Sequence, residues 1–79
     1  MAALNKHGNE IFRLEKEHQD NTKYLYAVFE NGDMLRKIFY ESHVGTWKIY
    51  KRKVKKEKLE ELKALFIRSG YKLLPPKKG

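Results

Sequence analysis

Residues 46–58 read TWKIYKRKVKKEK and carry seven lysines and arginines against one glutamate. Ammonium and guanidinium groups at this density suit phosphate oxygens, through charge-assisted hydrogen bonds and the release of counterions. Lys48, Lys51, Arg52, Lys53, Lys55, Lys56 and Lys58 are therefore the candidate phosphate contacts. As strand, Lys48 and Arg52 project to one side with Tyr50 between them; Lys55, Lys56 and Lys58 then fall at a helix start. Cations there oppose the helix dipole, at a few tenths of a kcal/mol each, about the lower end of such terminal effects. No Ser, Thr, Asp or Asn between Trp47 and Leu59 offers a cap. A phosphate placed there would satisfy the free amides and the lysines together. Contacts of this kind hold a polyanion without reading its bases.

The charge distribution points the same way. The net charge is +8; residues 1–45 hold six basic and seven acidic side chains, residues 46–79 twelve and three. The whole excess lies in the last 34 residues, which suggests a nucleic-acid partner, DNA or RNA. An anionic membrane surface fits less well, because no insertable apolar face adjoins the basic run.

Other chemistries lack their residues. Without cysteine there is neither a disulfide framework nor a thiolate metal site. Ser42 and Ser69 have no nucleophile-elbow context, and His7, His18 and His43 are scattered without ligand spacing. Glu60-Glu61 belongs to an exposed helix face, and the five glycines form no phosphate loop. The expectation is a binding protein and not an enzyme, with no catalytic, metal or cofactor site. No apolar run reaches the length of a membrane span, and residues 1–10 lack a signal-peptide core, so a cytoplasmic location is expected.

These side chains need elements to position them. EIFRLEKE (10–17) alternates, with Phe12 and Leu14 on one side, and KYLYAVFE (23–30) is rich in aromatic and β-branched residues. DMLRKIFYE (33–41) and TWKIYKR (46–52) complete four predicted strands. From Val54 to Ser69 the period becomes helical, with Leu59, Leu62, Leu65 and Phe66 forming an apolar stripe. Gly70 is placed to end the helix in left-handed conformation, with Tyr71 making the contact that accompanies such a cap. The predicted fold is α+β: a four-stranded antiparallel meander with one C-terminal amphipathic helix on one sheet face. Residues 10–74 form its single domain, residues 1–9 a lead-in and residues 75–79 a tail.

Asn31-Gly32 read as a two-residue type I′ turn sets the register of the central hairpin. Phe29 then faces Met34, and Leu25, Ala27, Phe29, Met34, Arg36 and Ile38 lie under the helix, with Phe12, Leu14, Trp47 and Ile49 beside them. The other face shows Tyr24, Tyr26, Phe39 and Tyr50 interleaved with Lys37, Lys48 and Arg52, a platform on which bases would stack. The alternative use of that face is docking to a protein, including a second copy of this chain as a homodimer.

Overall fold

A computed structural model describes residues 8–76; residues 1–7 of the expected lead-in and 77–79 of the expected tail lie outside it. The architecture is α+β with five strands, one more than expected. In chain order these are β1 (Glu10–Glu17), β2 (Lys23–Phe29), β3 (Met34–Phe39), β4 (Lys48–Lys51), the helix α1 (Lys56–Arg68) and β5 (Lys72–Leu74). The strands form one antiparallel sheet in the order β4-β3-β2-β1-β5. The extra strand is three residues long and stops at Pro75, too short to show a period in the sequence. Gly70 turns the chain back so that Leu73 pairs with Leu14 and Leu74 with Arg13, covering the free edge of β1. The other edge is β4, whose four residues are all exposed and whose ends are Lys48 and Lys51.

The central hairpin differs from the expected register by one residue. Gly32 donates to the Phe29 carbonyl at 2.9 Å, closing a turn around Glu30 and Asn31, and Phe29 donates to the Asp33 carbonyl at 3.0 Å. Only Gly32 of the pair has positive φ, at +92°. The loop therefore has three residues, a type I turn followed by a left-handed glycine. Val28 pairs with Met34 and Ala27 with Leu35, and because side chains alternate, the one-residue slip exchanges the faces of β2 relative to β3.

As a result Leu14, Tyr26, Val28, Met34 and Leu59 form the buried cluster between sheet and helix, flanked by Phe12, Tyr24, Leu62, Phe66 and Tyr71. Leu25, Ala27, Phe29, Trp47 and Ile49 belong to the opposite face, not to the helix face as expected; Ala27, Phe29 and Leu35 are buried there against Trp47.

The stripe on α1 that meets the sheet is Leu59, Leu62 and Phe66. Leu65, expected inside, lies about a quarter turn off this stripe and is 50% exposed. At the helix end Gly70, with φ +103°, donates to the Ile67 carbonyl at 3.0 Å, and Tyr71 donates to the Phe66 carbonyl at 3.0 Å. The Tyr71 ring meets that of Phe66 at 4.9 Å, so the last turn is closed by the left-handed cap and its apolar contact. Lys16 of β1 adds an ammonium donor to the Ser69 carbonyl at 2.7 Å, at the negative end of the helix.

Candidate nucleic-acid interface

The hairpin turn between β2 and β3 also holds the basic junction in place. The Asp33 carboxylate is buried, 5% exposed, and accepts the Lys53 amide at 3.0 Å on one oxygen and the Asn31 side-chain amide at 3.1 Å on the other. Val54 donates to the Gly32 carbonyl at 2.9 Å. A Cβ on Gly32 would stand 2.5 Å from the Val54 carbonyl oxygen and 2.8 Å from its nitrogen, so only glycine permits this approach. Between these anchors Lys53 is held at φ +52°, a left-handed conformation costing about 1–2 kcal/mol in a lysine. The chain then enters α1 through Lys55, whose side chain makes no capping hydrogen bond. A left-handed lysine, an uncapped start and a lysine in the first turn are three local disfavours within a few residues, held by two contacts from a distant hairpin.

This geometry gathers part of the basic run. Lys51 from β4, Arg52 from the connection, and Lys55 and Lys58 from the helix start surround one open depression of about 430 Å³, with Val54 among its walls. Lys58 lies 3.5 Å from Glu61 of its own helix, an exposed pair of little strength. Among the described residues Lys48, Lys51, Arg52, Lys53, Lys55 and Lys56 have no carboxylate partner. Lys53 and Lys56 are exposed but do not line the depression, and Lys48 stands opposite Arg36 at the β3–β4 pairing.

The aromatic candidates separate. Tyr26 is no surface ring: it is 4% exposed and meets Phe66 at 4.9 Å and Tyr71 at 5.7 Å beneath the helix. Tyr24 shares that face, edge-on to His18 at 4.4 Å. The register slip is the physical reason both leave the open face where a two-residue turn would put them. Phe39 and Lys37 do lie on the face opposite the helix; the Lys37 ammonium lies 5.8 Å from the Phe39 ring and 4.9 Å from Trp47. Two other cations of this face are paired, Arg13 with Glu10 and Lys23 with Glu15. Tyr50 lies on the helix side, edge-on to Tyr26 at 5.1 Å and 39% exposed.

Sequence reasoning missed Arg36 and Asp33. The Arg36 guanidinium lies 5.4 Å from the ring of Tyr50, the residue before Lys51, and 5.8 Å from that of Tyr24. A hydrogen bond with the Tyr26 hydroxyl, aided by the neighbouring tyrosines, raises its pKa further above an already high value, so it is a permanent cation. Its signal was present as the single charge interrupting an otherwise apolar face of β3. Asp33 had only a weak one, a lone carboxylate directly after Asn-Gly.

Among the described residues no group of three or more His, Cys, Asp or Glu is placed to hold a metal ion, and no helix is long and apolar enough to cross a membrane. No family model matches the chain, and neither a curated protein nor a solved structure matches it.

Proposed function

We propose that this protein is a non-enzymatic nucleic-acid-binding module whose phosphate-binding surface is the depression formed by Lys51, Arg52, Lys55 and Lys58. One observation carries the reading: a strand, a connection and a helix start each contribute a basic residue to the lining of one open concavity, and among the described residues three of the four have no carboxylate partner. A cationic surface kept only for solubility gains nothing from convergence, since like charges repel. Nor does it need a strained lysine pinned by a buried carboxylate. Lys48, Lys53, Lys56 and Arg36 extend the positive field on either side.

Replacing Lys51, Arg52, Lys55 and Lys58 together by glutamate tests this. All four residues are exposed, so circular dichroism is expected unchanged while retention on heparin and gel shift of labelled DNA or RNA are lost. Full retention by the folded variant would refute the assignment.

A second reading, protein docking through the sheet face opposite the helix, is favoured by Ile49, which is 42% exposed at the margin of a face whose centre, Ala27, Phe29 and Leu35, is buried against Trp47. Self-association through that face predicts a sedimentation coefficient that rises with concentration and is abolished by Ile49→Lys; a monomer at all concentrations removes the homodimer.

A further inference from the structure

We infer that the ligand of this surface is single-stranded nucleic acid, with the Tyr50 ring stacking one base while the cations of the depression hold the flanking phosphates. The inference rests on the phosphate-binding reading above and adds to it the form of the ligand and the residue that selects it.

Tyr50 meets three conditions at once. The residue is accessible, 39% exposed. It is also backed: Tyr26 meets it edge-on at 5.1 Å and 75°, and Tyr26 is itself wedged against Phe66 and Tyr71. A ring supported in this way loses little further freedom on stacking. Finally, it adjoins the phosphate site, because the next residue, Lys51, lines the depression and its ammonium lies 5.5 Å from the Tyr50 centroid. Arg36, 5.4 Å from the same ring, is a second cation beside it.

Neither cation near the ring outcompetes a base. An exposed cation–π contact is worth about 2- to 5-fold in a binding constant. Base stacking on an aromatic side chain is worth about 5- to 150-fold. A base therefore displaces the Lys51 ammonium, which is then free for the adjoining phosphate. In a duplex both faces of each base are already stacked, so a ring lying on a strand finds phosphates but no partner. The aromatic residues of the opposite face do not serve this ligand, because Trp47 and Phe39 lie across the sheet from the depression.

The test measures fluorescence anisotropy with three labelled ligands of equal length at one low salt concentration: a single-stranded oligonucleotide, its duplex, and an abasic strand with the same phosphates. Wild type is expected to bind the base-bearing strand 5- to 150-fold more tightly than the abasic strand, in line with one stacked base, and more tightly than the duplex. Tyr50→Leu should lose that preference with abasic affinity unchanged, and Tyr50→Phe should keep it. Equal wild-type affinity for base-bearing and abasic strands, or tighter binding of duplex, overturns the inference and leaves phosphate binding intact. Binding of none of the three ligands overturns both. Should Tyr50→Leu fail to fold, the wild-type comparison alone decides.

Discussion

Asp33→Ala separates geometry from charge. The substitution removes the acceptor of the Lys53 amide and that of the Asn31 side chain. The bond from the Lys53 amide to the buried carboxylate contributes about 1.5–3 kcal/mol and the local, part-buried bond from the Asn31 side chain about 0.5–1.5 kcal/mol, giving a loss of about 2–4.5 kcal/mol. A domain of this size has about 4–12 kcal/mol of stability in all. The melting temperature should therefore fall by about 10–30 °C, at about 4–8 °C per kcal/mol. Without its anchor Lys53 leaves the left-handed region, and the walls of the depression separate. Nucleic-acid affinity, measured at a temperature where the variant is folded, should then fall even though the protein has lost a negative charge. Asp33→Asn also removes the charge but keeps an acceptor for Lys53, so its affinity should equal or exceed that of wild type. Amide exchange at Lys53 should be fast in the alanine variant and slowed in wild type. A melting shift below about 3 °C for Asp33→Ala, or affinity that rises in both variants, would refute the view that this carboxylate shapes the site.

Tyr26→Ser should lower the unfolding free energy measured by chemical denaturation by about 3–5 kcal/mol, because it empties a nearly fully buried aromatic site; a loss below about 1 kcal/mol would contradict the placement of that ring under the helix. Burial pushes the Tyr71 hydroxyl from its ordinary 10 up to about 12, with Tyr26 adding to the effect. The unfolded chain thus releases this proton at lower pH than the folded one, and the contribution is complete below pH 10, declines through the window and is gone above about 12. Chemical denaturation from pH 9 to 12.5 should show stability declining less steeply in Tyr71→Phe than in wild type; identical slopes would contradict this.

What the sequence made legible follows from how local each determinant is. The alternation of Phe12 and Leu14, the helical spacing of Leu59, Leu62 and Phe66, and the Gly70-Tyr71 cap are set by neighbours a few residues apart, and each appears in the structure where the pattern placed it. The faces of the central hairpin were not legible, because Asn31-Gly32 serves either a two- or a three-residue loop and the choice moves every side chain of β2 across the sheet. Asp33 contributes here: its amide is accepted by the Asn31 side chain at 2.9 Å, which favours the longer loop. β5 escaped because Lys72, Leu73 and Leu74 are too few to carry a period. The cationic run was plain from composition, but its convergence was not, since Lys51 and Lys58 meet only through the left-handed turn at Lys53. The aromatic neighbour of that site was named among several in the sequence, and only the fold distinguishes Tyr50, beside the cations, from Tyr24, Tyr26 and Phe39.

The central claim is that four cations act together on phosphates, and the dependence of affinity on salt measures this directly. With four phosphates neutralised, the slope of log K against log salt concentration is about −3 on a single strand and about −3.6 on duplex. Wild type should give slopes at least this steep, and a variant with Lys51, Arg52, Lys55 and Lys58 changed to glutamine should give a slope shallower by about 3 on a single strand. A wild-type slope near zero, or one that the glutamine variant reproduces, would contradict the account.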